Sequence, residues 1–262
     1  MGGAGGPPPP NEIIVCAFMM TFAAGLLDGV TLLSHTHTTT THMSGKVLKT
    51  GTYAAVGSSD AITPNLSMVL SFLFGAILSG IATATPERKT PRTCARGCIV
   101  VGIGCCCVGL MLTNKIDEAK YAAAFTAGMQ NALLTTITGF MRTTHFTGTV
   151  TDVGLLIGQA YPLKVKDAAH IWKTKVLSTC IVVWVAAGLA SGLLVTPLGA
   201  SLAFVPGIIG IGCGLAGLVV INKEEAKVKV EEAAAAAEEE ARAVAEKEEE
   251  KVRRCPLEIL NL

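Results

Sequence analysis

The stretch AGMQNALLTTITGFMRTTHFTGTVTDVG, residues 127–154, decides how the rest of the chain is read. It begins apolar enough to enter a membrane, then turns to hydroxyls, an arginine, a histidine, glycines and an aspartate. It also has a partner upstream. A shift of 103 positions (145 − 42) lays AGLLDGVTLLSHTHTTTTHMSGKVLKTG, residues 24–51, on it without a gap. Under that shift Gly25 meets Gly128, Asp28 meets Asn131, Thr40-Thr41-His42 meets Thr143-Thr144-His145, Ser44-Gly45 meets Thr147-Gly148, and Gly51 meets Gly154. A fixed internal spacing marks a duplicated structural unit.

The composition says what solvent those units sit in. Half of the residues are hydrophobic and 16% are charged, against about 25% in soluble domains. Mean hydropathy is +0.52, and most of the charge lies beyond Asn222. This is the composition of a membrane protein. The net charge of +1 says nothing about nucleic acid, and no basic patch with interleaved aromatics appears, so no nucleic-acid partner is expected. The nine cysteines include a run at 105–107 inside an apolar stretch. They have no framework spacing, so they read as small buried hydrophobes, neither disulfides nor metal ligands.

Working outward from the two copies, apolar spans are expected at about 12–33, 66–84, 97–113, 122–141, 176–195 and 198–221. Asp28 lies inside the first. A carboxylate there costs roughly 2.5–3.5 kcal/mol on the insertion scale and should face protein or water. In the second, Gly75, Ser79 and Gly80 place small residues near one face, which lets helices approach closely. The fifth repeats that feature at Ser191-Gly192. The sixth repeats Gly102-Ile103-Gly104-Cys105 as Gly210-Ile211-Gly212-Cys213. The expected fold is therefore all-α and polytopic: two three-span repeats, 12–113 and 114–221. Three is odd, so the second copy would enter from the opposite side, giving an inverted repeat. Arg88, Lys89, Arg92, Arg96, Arg142, Lys164, Lys166, Lys173 and Lys175 would share one side, and Lys46, Lys49, Lys115 and Lys120 the other. The more basic side is the cytoplasmic one (stromal or matrix in an organelle), with both termini there.

Two appendages flank this core. Residues 1–11 form a Gly/Pro-rich head expected to be disordered, with no signal-peptide pattern. Residues 222–262 are rich in Ala, Glu, Lys and Arg, without Gly and with a single proline at 256. They predict one long solvent-exposed helix up to that proline, then an apolar end at Leu257, Ile259, Leu260 and Leu262. The tail is either a solvated extension or a tether to a membrane-protein partner. Beyond that, the expected partners are the lipid bilayer and, as a further option, a second copy of the chain.

The polar residues within the spans are the candidate site: Asp28, Thr41, His42, Ser44, Gly45, Gln130, Asn131, Arg142, Thr144, His145, Thr147, Gly148 and Asp152. Irregular polar backbone is tolerated in a bilayer only where protein buries it or it lines a water-filled cavity. Two such breaks at matching places in inverted halves point to a transport site between the repeats. Hydroxyls and helix ends would replace a solute's hydration shell, and Asp28 or a histidine would carry charge or a proton. The plainer alternative is a cap and tight turn, with His and Asn as hydrogen-bonding glue between helices. His35 and His37 are expected to be exposed loop residues. No activated nucleophile, phosphate loop or metal-ligand spacing appears, so neither an enzyme nor a cofactor is expected.

At this point the residues resemble a known family. GMQNA at 128–132 and RTTHFTGTVTDVG at 142–154 closely resemble the signature of the YoaK family, multi-pass membrane proteins of unknown function. GLLDG at 25–29 and HMSGK at 42–46 are similar to that family's first-half motif. The resemblance covers most of 12–221 and implies about six spans with no settled activity. The family pattern has Thr-Gly-Asn where this chain has Ser44-Gly45-Lys46, so a site that needed the asparagine amide would be lost in this copy. Function stays divided between a small-solute transporter or channel and a non-catalytic subunit of a larger membrane complex.

Overall fold

The computed structural model describes residues 11–85, 90–163 and 168–254. The expectations for the head at 1–10, for Arg88, Lys89, Lys164 and Lys166, and for the apolar end from Leu257 lie outside those residues. All regular structure in the described residues is helical. In chain order the helices are α1 (Asn11–Leu33), α2 (Met43–Ala55), α3 (Ser59–Ala82), α4 (Pro91–Thr113), α5 (Ala119–Thr138), α6 (Phe146–Leu163) and α7 (Ala168–Leu198). A short 3-10 helix (Gly199–Ala203) then leads into α8 (Phe204–Arg254).

Local chemistry sets several of these boundaries. Thr90 caps α4 by accepting from the Thr93 N–H at 3.1 Å, and Pro91 follows at the first helical position, where its missing donor costs nothing. Gly139 ends α5 with φ of 76°, a left-handed turn that a glycine adopts without strain. Helices cover the expected spans, and α3 and α4 each begin about two turns earlier than expected, at Ser59 and Pro91. The two polar stretches differ more from expectation. Each is a short loop followed by a helix, α2 and α6, so the segment 155–161 belongs to an eighteen-residue helix.

Length and composition pick out four stretches able to cross a membrane: α1, α3, α4, and a run from Ala168 to Glu250 that takes in α7 and α8. These apolar helices suggest an integral membrane protein and are compatible with a multi-pass one. The helix α5, expected as the fourth span, is absent from that set. Its buried residues include Thr126, Gly128, Gln130 and Thr138, and it packs on α3, α4 and α1. A helix surrounded by other helices need not be as apolar as lipid.

Residues up to Leu218 form one compact unit. Within it α1 packs on α7 and α5 packs on α3, so the first helix of each sequence copy lies against the other copy. Glycines make the close approaches. A Cβ on Gly75 would strike the Phe125 carbonyl, and one on Gly128 the Phe72 carbonyl. Matching this, a Cβ on Gly25 would come within 2.8 Å of Ala187. Gly102 and Gly210, at corresponding places in the two copies, face each other: a Cβ on Gly210 would lie 2.8 Å from the Gly102 Cα. Ser79 and Ser191 are both buried, whereas Gly80 and Gly192 both face open space. The small face of α3 is therefore Gly75 and Ser79, without Gly80.

One cavity fixes the helix directions. Leu33, Leu112 and Leu198, at the C-terminal ends of α1, α4 and α7, line it together. These three helices finish at the same face. Only residues 114–118 separate α4 from α5, so α5 starts at that face and ends at the opposite one, about 30 Å away at 1.5 Å per residue. From Val219 the described residues up to Arg254 belong to a second unit, a charged helix that is exposed at nearly every position described and carries i,i+4 pairs such as Glu238–Arg242 at 2.7 Å.

Candidate functional site

The site is built around a carboxylate in the bundle. Asp28 is 5% exposed on α1. A buried carboxylate is stable only when paired and hydrogen-bonded, and the loop after α1 supplies the partners. Asp28 Oδ1 accepts from the Thr40 N–H at 2.5 Å, the Thr41 N–H at 3.1 Å and the Thr40 hydroxyl at 3.2 Å. Its Oδ2 lies 3.3 Å from His42 Nδ1. Residues 34–42 thus fold back over the helix they leave. Ser34 and Thr36 hydroxyls help by capping the Thr31 carbonyl at 3.0 and 2.6 Å.

His42 precedes α2 and donates no side-chain cap to it, because its ring turns to Asp28. The hydrogen bond to Asp28 raises the His42 pKa; burial opposes this, the Asp28 charge adds to it, and Lys46 subtracts. Lys46 is one turn into α2 and 8% exposed, and its ammonium donates to the Thr38 hydroxyl. Burial lowers the Lys46 pKa, as do Lys49 and Lys120, while Asp28 pulls it back up. The first copy therefore holds a charged network, Asp28–His42–Lys46.

The second copy builds a similar shape with neutral residues, Asn131 and Thr149, at the places of Asp28 and Lys46. Asn131 Oδ1 accepts from the Thr144 N–H at 3.3 Å, the counterpart of the Asp28–Thr41 bond. Thr149 replaces Lys46 and returns its hydroxyl to the His145 carbonyl at 3.1 Å. Burial follows the 103-residue shift: Thr40, Thr41 and Lys46 are buried, as are Thr143, Thr144 and Thr149, while His42, Ser44, His145 and Thr147 are exposed. The Thr41 and Thr143 hydroxyl oxygens are buried with no hydrogen-bond partner.

A family described as protein of unknown function (DUF1275) matches residues 16–216. The chain belongs to the DUF1275 family. That family includes YoaK, so the resemblance of the two motifs holds at the level of the family and brings no activity with it. No curated protein and no solved structure matches the chain.

The DUF1275 core divides the candidate residues into groups. Asp28, Thr41 and His42 come together on α1 and its loop; Asn131 and Thr144 come together on α5 and its loop. Because α1 and α5 end at opposite faces, these are two separate places. Gln130 links them: buried, it donates from Nε2 to the Met20 carbonyl at 2.7 Å, tying α5 to α1 between the two loops. Ser44, Gly45, Arg142, Thr147 and Asp152 are exposed, and Gly148 is half-buried against the His145 ring. His37 is exposed as expected, whereas His35 is half-buried and 3.7 Å from Asp117. Among the described residues, no three His, Cys, Asp or Glu side chains stand close enough to hold a metal ion.

Thr40, Thr143 and Lys46 belong to this machinery and are missing from the candidate set. The identity of Thr40 with Thr143 under the shift was the available signal for the threonines. Lys46 carried the opposite signal, since it breaks both the repeat and the family pattern. Chemically, the first loop pairs His42 with a buried carboxylate, whereas the second offers the neutral Asn131 amide at the matching place.

Proposed function

We propose that this DUF1275 chain is a non-enzymatic membrane transporter or channel for a small polar solute or ion, built as two inverted three-span repeats. Swapped packing of α1 on α7 and α5 on α3, the facing Gly102 and Gly210, and the matched burial of the two loops support the repeat. Each loop stands at one end of the pathway, and the α1–α5 crossing at Gln130 forms the barrier between them. The observation that carries the transport reading is the buried Asp28 with His42 on its second oxygen. Ionisable groups inside a membrane bundle are costly and mark ion or proton pathways. On the basic-side argument, the termini face the cytoplasm or its organellar equivalent, and the Asp28 loop faces away from it.

The test is reconstitution into liposomes with a trapped pH dye, followed by pulses of H⁺, Na⁺, K⁺ and chloride. Transport predicts an ion flux above that of empty liposomes, abolished by Asp28→Asn or His42→Gln in protein that still folds. Equal flux in wild type and both variants refutes it. A second reading, a subunit of a larger membrane complex, is favoured by the charged helix from Val219 to Arg254, which is exposed at nearly every position described. Purification from native membrane with and without residues 222–262 decides it: a partner retained only by the full chain supports that reading.

A further inference from the structure

The cavity at the shared end of α1, α4 and α7 is apart from Asp28 and suits a different ligand. It holds about 530 Å³, inside the ~300–1,000 Å³ range of small-molecule sites. Leu33, Leu112 and Leu198 give it apolar walls; His35, Lys115 and Ser201 give it a polar rim. Leu33 and Leu198 are 48% and 49% exposed, so the apolar wall continues onto the outer surface. An apolar body can enter from the side and stop with a polar head at the rim.

The rim decides the charge of that head. Three helix C-termini converge here, and bare carbonyls would favour a cation. Side-chain hydroxyls already occupy those carbonyls. Ser34 donates to Thr31, Thr113 to Gly109 and Leu110, and Ser201 to Leu198. What remains is basic. The Lys115 N–H donates to the Leu112 carbonyl at 3.1 Å, whereas its ammonium has no hydrogen-bonded or ionic acceptor among the described residues. It also sits at φ of 57°, a left-handed position where asparagine or glycine costs less. His35 presents a buried Nε2 with no hydrogen bond; the nearby acid, Asp117, is 3.7 Å away and 76% exposed.

We propose that this cavity binds an anionic amphiphile, with a phosphate-type head at Lys115 and His35 and an acyl body along Leu33, Leu112 and Leu198. The inference is independent of transport. It is tested by native mass spectrometry of the full chain with phosphatidylglycerol or phosphatidylcholine, and with inorganic phosphate as competitor. Phosphatidylglycerol should be retained about tenfold better than phosphatidylcholine, whose choline ammonium would stand as a like charge beside Lys115. Lys115→Asn, which suits the backbone and keeps the fold, should remove that preference. Leu198→Trp, at the exposed rim, should reduce retention of both lipids by filling the cavity. Displacement by inorganic phosphate would support the site with a free phosphate compound as ligand, and its failure to displace would support it with a lipid. Equal retention of the two lipids by wild type, or phosphatidylglycerol retention unchanged in both variants, overturns the proposal.

Discussion

Removing the Asp28 side chain separates its two jobs, holding a loop and holding a charge. In Asp28→Ala the Thr40 and Thr41 N–H groups lose their acceptor. An unsatisfied buried donor costs about 1–3 kcal/mol, so the pair costs about 2–6 kcal/mol, nearer the lower value where water reaches the loop. Asp28→Asn keeps Oδ1 as acceptor, the arrangement already seen at Asn131 and Thr144. It should cost about 1–2 kcal/mol, the difference between charge-assisted and neutral bonds. It also leaves Lys46 buried without a compensating anion. The double variant Asp28→Asn/Lys46→Thr gives the first copy the neutral residues of the second, Asn131 and Thr149. It should be more stable than the two single losses summed predict, by a coupling of about 0.5–3 kcal/mol. Thermal unfolding in detergent, followed with a maleimide dye that reaches Cys98 and Cys105 only when the bundle opens, reads wild type and the four variants, the single Lys46→Thr included; both thiols are at most 2% exposed. An alanine variant as stable as wild type would refute the loop argument, and strict additivity of the double variant would refute the charge argument.

Four further outcomes are expected. Because Asp28 raises the His42 pKa, their pairing stabilises fully below the unfolded value near 6.5 and is lost as pH rises through the folded value; melting temperature should fall across that window in wild type more steeply than in His42→Gln, the opposite slope from Lys46 being common to both. Gly75→Ala forces a Cβ onto the Phe125 carbonyl and should cost about 1–3 kcal/mol, whereas Gly80→Ala, facing open space, should gain up to about 1 kcal/mol of helix propensity in the same unfolding assay. Asn131→Asp should destabilise by placing a carboxylate at a half-buried position with no lysine beside it, and adding Thr149→Lys should recover part of the loss, measured as a double-mutant cycle. Deleting residues 222–262 should leave the melting temperature of the bundle within about 2 °C, less than a 1 kcal/mol change produces in a domain this size, since the compact unit ends at Leu218.

Much of the bundle was legible because the repeat is written in residues whose chemistry is local. Glycines at 25, 128, 102 and 210 are needed wherever two helix backbones touch, and a threonine pair before a histidine recurs wherever a loop must return its N–H groups to a side chain on the preceding helix. The start of α3 was not legible, since Ser59, Asp60, Pro64 and Asn65 are turn-formers by composition, yet the helix begins at Ser59. The interior position of α5 was hidden for a related reason: hydropathy reports whether a helix tolerates lipid, and α5 meets protein instead. Nor could sequence spacing say that the two polar loops lie at opposite faces, because that depends on the ends of α1, α4 and α7 meeting at one cavity.

The departures from the repeat carry more about function than the matches do. Where the copies agree, as at Thr41 and Thr144, the shared residues serve the loop's shape, the plainer of the two roles weighed for the motif. Where they differ, Asp28 against Asn131 and Lys46 against Thr149, the loop keeps its shape and changes its charge. Two opposite charges gained in one copy, both buried and both beside His42, offset each other electrostatically, so shape alone does not account for them: the neutral copy folds the same loop without either. The two loops therefore differ in charge at the positions of Asp28 and Lys46 even though their burial patterns match. The Asp28→Asn/Lys46→Thr protein is therefore the decisive object for flux as well as for stability, since it removes the asymmetry while leaving both loops closed.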